Sequence, residues 1–277
     1  MSKTFGIALG AGGARGLAHI AMCEALDEIG RRPVAVAGTS IGALIGAAYC
    51  SGMSGKEMRR FVVGLAHDPA DVLRRLIATR AGSLADLLTG GFGAITLIDA
   101  EKFCDQFLPR SVPENFEDLR IPLTVVATDL YRREQVTFSS GPLRPALAAS
   151  NALPALMRPV AIDGRILIDG GAMNPLPFDH LRERADLTVA VDISGAPLPT
   201  RHEVPSPWEC VFAAVLVMAS AITAEKVKHA PPDLLVRPAV GPFRMLDFLQ
   251  ASAILRAAEP IKREFKNTLP ALLDGED

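Results

Sequence analysis

The chain predicts an α/β fold, a mostly parallel central sheet sandwiched between helices in three layers. Three observations carry this. Short apolar runs alternate with longer helical stretches along the whole sequence. The runs are bounded by Gly, Pro or Asp, as strands entering loops require. The first two strand-to-helix turns are glycine-rich: Gly10-Ala11-Gly12-Gly13-Ala14-Arg15-Gly16 and Gly38-Thr39-Ser40-Ile41-Gly42. Turns of that kind sit at the carboxyl ends of parallel strands, where such folds bind ligands.

The elements follow in order. Residues 4–9 form an apolar strand that stops at Gly10, and a helix over 17–29 follows the loop. Pro33-Val34-Ala35-Val36-Ala37 reads as a buried strand over 33–37. Ala43-Leu44-Ile45-Gly46-Ala47-Ala48 reads as a tightly packed helix within 41–51. Helices are expected over 54–66, 69–78 and 99–108. A strand over 121–128 contains Val125-Val126-Ala127-Thr128, and a helix follows over 142–150. Strands over 134–139 and 160–168, the second containing Arg165-Ile166-Leu167-Ile168, are expected to form an antiparallel part. A helix over 175–184, a strand over 187–193, a helix over 207–228, a strand over 233–237 and a helix over 246–266 complete the order.

Composition bounds the class. A chain of 277 residues, 49 % hydrophobic and 22 % charged, suits one domain with a full core over 1–277. Its motifs lie within about 4–195, and a helical part covers about 200–277. A net charge of −2 gives no footprint for nucleic acid. The arginine pairs at 31–32, 59–60, 74–75 and 132–133 are scattered, as on solvated faces. Arg74, Arg75 and Arg80 would meet anionic headgroups if they line a site entrance. Cys23, Cys50, Cys104 and Cys210 are too widely spaced for a metal or redox motif. The N-terminal apolar stretch, broken by glycines and Arg15, reads as strand and loop rather than a signal peptide. No uninterrupted apolar span long enough for a bilayer is expected. A cytoplasmic protein follows, with peripheral membrane contact as the variant and oligomeric state left open.

The two glycine turns carry chemistry. Gly38-Thr39-Ser40-Ile41-Gly42 is a G-x-S-x-G pentapeptide between a strand and a small-residue helix. A nucleophile elbow needs this pattern, because Cβ atoms at Gly38 and Gly42 would collide in the sharp turn. The helix from Ile41 points its positive end at Ser40. The first loop could hold a developing oxyanion with its backbone N–H groups. Nucleotide binding is disfavoured. A dinucleotide fingerprint starting at Gly10 would need glycine where Arg15 stands, and a phosphate loop would need Lys where Leu17 follows Gly16. The base is open between two residue types. The histidines are His19, His67, His180, His202 and His229, and none sits at a strand end. Asp169 does, followed by Gly170 and Gly171, where another backbone or a substrate can approach closely. Asp129, Asp163 and Asp192 compete with it and are expected to serve as caps or loop hydrogen-bond acceptors.

Three blocks in this order resemble the patatin-like phospholipase family. Ala11 to Gly16 matches its glycine oxyanion loop, Gly38 to Gly42 its G-x-S-x-G, and Asp169 to Gly171 its D-G-[GA]. Ala149-Ser150-Asn151-Ala152-Leu153-Pro154, Arg158-Pro159-Val160, Asp163-Gly164 and Asn174-Pro175-Leu176-Pro177 extend the match over about residues 4–195. The resemblance implies a serine acyl hydrolase of phospholipid or lysophospholipid esters, without metal or nucleotide cofactor. It implies a Ser40–Asp169 dyad without histidine, and an oxyanion hole at Gly12, Gly13, Ala14 and Arg15. Burial beside the serine would raise the aspartate pKa toward working pH. Ala11 departs from the family glycine. A Cβ forbids the positive φ that glycine tolerates, so the turn is expected to fall on Gly10. The alternatives are a Ser–Asp–His esterase using Ser40, Asp169 and then His180 or His202, and a weakly active lipid-binding module.

Two further segments bear on access. Residues 81–93 mix glycines with Leu84, Leu87, Leu88 and Phe92, as a lid over an acyl pocket or a loose surface loop would. Residues 208–222 are apolar on most faces. Burial in the core is the expectation for them, with a dimer face or membrane contact as the alternatives.

Overall fold

The computed structural model describes residues 3–80, 98–195 and 204–275. The lid expectation at 81–93 and His202 lie outside the described residues. The strands are β1 (Phe5–Leu9), β2 (Ala35–Thr39), β3 (Leu123–Asp129), β4 (Glu134–Phe138), β5 (Val160–Ile162), β6 (Arg165–Asp169), β7 (Leu187–Val191) and β8 (Leu234–Val236). They form one sheet in the order β5-β6-β3-β2-β1-β7-β8, with β4 also paired to β3. The run from β3 to β8 is parallel. The pairs β3–β4, β3–β6 and β5–β6 are antiparallel, which is the antiparallel part the sequence suggested.

The helices are α1 (His19–Ile29), α2 (Ile41–Cys50), α3 (Gly55–Ala66), α4 (Pro69–Ala78), α5 (Ala100–Phe107), α6 (Leu143–Asn151), α7 (Pro207–His229), α8 (Ala251–Ala257) and α9 (Glu259–Asp274). Side-chain size divides the two faces of the sheet. Ile7, Leu9, Val36, Val189 and Val191 point to one face and join the main core with α1, α2, α8 and α9. Ala8, Ala35, Ala37 and Ala190 point to the other. Small residues there admit a close cover, which Leu176, Phe178 and Leu181 provide. The layer on this face is thinner than expected. The predicted helix over 175–184 is only a 3-10 turn at Phe178–Leu181, because Pro175 and Pro177 remove two N–H donors from its start.

Two more expectations change. The strand 160–168 is a hairpin, turned at Asp163 (φ 49°) and Gly164 (φ 73°), the left-handed pair that a tight Asp-Gly turn requires. The helix 246–266 is broken into a 3-10 turn, α8 and α9, with Pro260 in the first turn of the second segment.

The largest correction concerns α7. Core burial was expected for residues 208–222, yet within this helix only Ala219 and Thr223 are buried. It is also long and apolar enough, by length and composition, to cross a membrane, against the expectation that no span of that length is present.

Candidate active site

Ser40 stands between β2 and α2 with φ 55° and ψ −126°. A non-glycine residue there is strained, as a nucleophile elbow requires. The flanking glycines have steric reasons. A Cβ on Gly38 would lie 2.6 Å from Ala43 Cα, and one on Gly42 would lie 2.1 Å from the Leu9 carbonyl oxygen. Two side chains from α6 hold the strained turn. The Ser40 N–H donates to Ser150 Oγ at 2.8 Å, and that hydroxyl donates to the Val126 carbonyl at 2.6 Å. Asn151 Nδ2 donates to the Ser40 carbonyl at 3.1 Å. Sequence reasoning gave neither residue a role, although both stand in the Ala149–Pro154 block that extends the family match.

Sheet register brings the carboxylate to the serine. β2 pairs Thr39 with Val126, and β6 pairs Asp169 with Ala127, one residue farther along β3. Ser40 and Asp169 therefore leave the sheet at one level, on either side of β3. The Ser40 hydroxyl donates to Asp169 Oδ2 at 2.6 Å, and the Gly171 N–H donates to Oδ1 at 2.7 Å. Burial pushes the Asp169 pKa up to about 6, against the lowering effect of these two hydrogen bonds. The chain then folds over β3, where a Cβ on Gly170 would lie 2.1 Å from the Val126 carbonyl oxygen.

The competing groups are engaged elsewhere. Asp129 Oδ1 accepts the N–H groups of Tyr131 and Arg132. Asp192 accepts from Ser194 and from Arg237 Nε. Asp163 makes the β5–β6 turn. His19 is fully buried with Nε2 2.9 Å from the Gly10 carbonyl oxygen, and burial lowers its pKa to about 4. His180 lies 3.7 Å from Asp179, His67 bonds the Val63 carbonyl, and His229 bonds Glu225.

The glycine loop packs against the start of α2, since a Cβ on Gly16 would lie 2.3 Å from Ile41 Cγ2. Its turn falls on Gly12 and Gly13 rather than on Gly10. Gly13 has φ 60°, and a Cβ on it would lie 2.3 Å from the Met245 carbonyl oxygen. Ala11 is not among the positive-φ residues, so the loop needs no left-handed backbone there. The Ala14 N–H and the Arg15 side chain, both in residues grouped with the oxyanion donors from sequence, are engaged elsewhere. The Ala14 N–H donates to the Met245 carbonyl at 2.7 Å. The Arg15 guanidinium donates to the carbonyls of Phe243 (2.7 Å), Ser194 (2.5 Å) and Gly241 (2.9 Å). It clamps the 241–249 strap to the loop. Among the described residues, the N–H groups of Gly12 and Gly13 meet no protein acceptor.

An apolar cavity of about 320 Å³ adjoins the start of α2. Ile41, the residue after Ser40, lines it together with Leu17, Phe61, Leu76, Phe107 and Phe248. The amphipathic helices α3 and α4 turn their apolar faces into it. Arg74 and Arg75 do not line this cavity. They pair with Asp71 and border a separate polar depression with Arg110. Among the described residues no cluster of three or more His, Cys, Asp or Glu could hold a metal ion.

The Patatin-like phospholipase family model matches residues 7–182. An uncharacterized NTE family protein of Mycobacterium tuberculosis is 38 % identical over 207 residues, covering 74 % of this chain and 53 % of that protein. Lysophospholipase nte1 of Aspergillus niger is 27 % identical over 305 residues, covering 97 % of this chain and 19 % of its own length. The chain thus spans about half the length of the mycobacterial relative, and less of the fungal one. VipD from Legionella pneumophila superposes with a TM-score of 0.49 at 16 % identity, over 95 % of this chain and 67 % of its own.

Proposed function

The chain belongs to the patatin-like phospholipase family, and from that premise we propose that it hydrolyses carboxyl esters of phospholipids or lysophospholipids through a Ser40–Asp169 dyad. The observation that carries this reading is the 2.6 Å hydrogen bond from the Ser40 hydroxyl to a buried carboxylate with a pKa near 6. A direct contact of that length leaves no room for an imidazole between the two, which counts against a Ser–Asp–His triad.

Ser40 Oγ attacks the ester carbonyl while its proton passes to Asp169 Oδ2. The negative charge moves to the carbonyl oxygen, which the Gly12 and Gly13 N–H groups stabilise. Each such donor contributes roughly 3 kcal/mol in comparable sites. The tetrahedral intermediate collapses to an acyl-serine, and the departing alkoxide takes the proton from Asp169. Water then gives a proton to Asp169 and attacks the acyl carbon. The second collapse frees the fatty acid and returns the proton to Ser40. The acyl chain lies in the apolar cavity that Ile41 begins. Ester hydrolysis with substrates of graded acyl length tests the proposal. Wild-type turnover should rise with chain length until the cavity fills. Ser40→Ala should lose at least about a thousandfold in kcat. Retained turnover in folded Ser40→Ala protein would refute the proposal.

A further inference from the structure

α7 connects the parallel neighbours β7 and β8. Such a crossover helix ordinarily buries one face along its sheet. Here only the final part does so. Val227 packs on the small-residue face of the sheet. Lys226 Nζ donates to Asn174 Oδ1 at 2.7 Å and to the Leu176 carbonyl at 3.0 Å, and pairs with Asp179. The buried Ala219 and Thr223 lie in the middle of the helix, which passes the turn at Gly170–Ala172, directly after Asp169. At about 1.5 Å per residue, residues 207–218 continue about 18 Å beyond that point. Because α7 follows β7 and leads back to its parallel neighbour β8, these residues stand at the end of the sheet where the parallel strands finish, the end that carries Ser40 and Asp169.

The projecting half is apolar and open. Trp208, Val217 and Met218 are 54 %, 68 % and 57 % exposed, and no residue between Glu209 and Glu225 is charged. Other exposed apolar side chains occur around the same edge: Tyr131 after β3, Met173 after Asp169, and Leu246, Phe248 and Leu249 on the strap. The last three also line the apolar cavity. Arg244 ties the strap to the start of α7 through Glu209 at 2.6 Å. An exposed apolar patch of this extent, tied to a strap that lines the cavity, marks an interaction surface.

We propose that this edge docks on a phospholipid bilayer, with the N-terminal half of α7 lying in the boundary between headgroups and acyl chains. The inference rests on the lipid-ester reading, since it opens the cavity mouth directly into lipid. Two observations favour a bilayer over a second copy of the chain. At 100° per residue, Trp208, Val211, Val217 and Met218 spread over about half the helix circumference, wider than a helix–helix seam. A second copy seated there would also cover the mouth through which substrate enters. The helix does not span the bilayer, because both flanking strands pair in one sheet. It lies in one leaflet, as interfacial helices do.

Trp208 is the sole tryptophan of the chain, so its emission reports the environment of α7 directly. The probe is an extruded phosphatidylcholine vesicle, and the protein carries Ser40→Ala so that binding is measured without hydrolysis. Trp208 emission should shift to the blue, and the protein should float with the vesicles. Adding Val217→Glu and Met218→Glu, both at exposed positions, should weaken flotation at least tenfold. In the Ser40 background this pair should leave hydrolysis of a short soluble ester unchanged and remove most hydrolysis of vesicle phospholipid. Absence of flotation, undiminished flotation of the charged variant, or a dimer-to-monomer change as its sole effect would overturn the proposal. Failure to hydrolyse any ester would refute the enzymatic reading alone, because flotation is scored on the inactive protein.

Discussion

With Asp169 as the proposed base, the pH dependence of turnover follows from its environment. The base must be ionised to accept the Ser40 proton, and burial holds its pKa up to about 6. With that value the ionised fraction is about 0.1 at pH 5 and about 0.9 at pH 7. On a short soluble ester, kcat/KM should therefore rise about tenfold between these values and level off above pH 7. A solvated aspartate near pKa 3.9 would be more than about nine-tenths ionised at pH 5 already, and the profile would be almost flat. The assay is initial-rate hydrolysis from pH 4.5 to 8 at constant ionic strength, with enzyme stability checked at each pH. Asp169→Asn should remove both the activity and its pH dependence. A flat profile, or a tenfold rise that persists in residual Asp169→Asn activity, would refute the assignment of Asp169 as the base.

The same shift has a consequence for stability. A carboxyl whose pKa is raised on folding stabilises the protein below its unfolded value of 3.8, and that contribution is lost as pH rises through about 6. Two units correspond to about 3 kcal/mol as an upper bound. Asparagine can still offer an oxygen to the Gly171 N–H and an N–H to Ser40. Asp169→Asn should thus melt several degrees above wild type at pH 8 and close to it at pH 4, by thermal denaturation. Ser150→Ala leaves the Ser40 N–H without its acceptor and should cost about 1–3 kcal/mol in urea unfolding, with a fall in kcat from the loosened elbow. Gly13→Ala places a Cβ on a residue at φ 60° and 2.3 Å from the Met245 carbonyl oxygen. It should lower kcat at least tenfold on every ester length, whereas Ala11→Gly should change kcat little.

Much of the site was legible because its residues are fixed by local geometry. Gly38 and Gly42 are dictated by an elbow whose clashes are with chain neighbours and the adjacent strand, so a pentapeptide reveals them. Asp169 was legible as an aspartate at a strand end before two glycines. That it meets Ser40 depends on the register of β6 against β3, which no local pattern encodes. Ser150 and Asn151 act through the Ser40 backbone from a helix more than a hundred residues away, and the sequence could mark only their block. Arg15 illustrates the reverse. Its place in the loop suggested the oxyanion, but the guanidinium, with five donors, is used on two carbonyls of the strap, Gly241 and Phe243, and on that of Ser194 after β7. The fold was read well where period and punctuation agree, as in β1, β2 and α2. It failed at 175–184, where two prolines outweigh the helical pattern, and at α7, where apolar composition was equated with burial.

We propose Ser40 as the nucleophile and Asp169 as its base. Covalent labelling with a long-chain alkyl fluorophosphonate, read by intact and peptide mass spectrometry, tests this assignment most directly. Wild type should gain one adduct, on Ser40, at a rate that rises through pH 6. Ser40→Ala should gain none. Asp169→Asn should label at least a hundredfold more slowly, while single His19→Gln, His67→Gln, His180→Gln, His202→Gln and His229→Gln proteins should label at near wild-type rates. An adduct on another residue, or labelling that depends on one of those histidines and not on Asp169, would contradict the account.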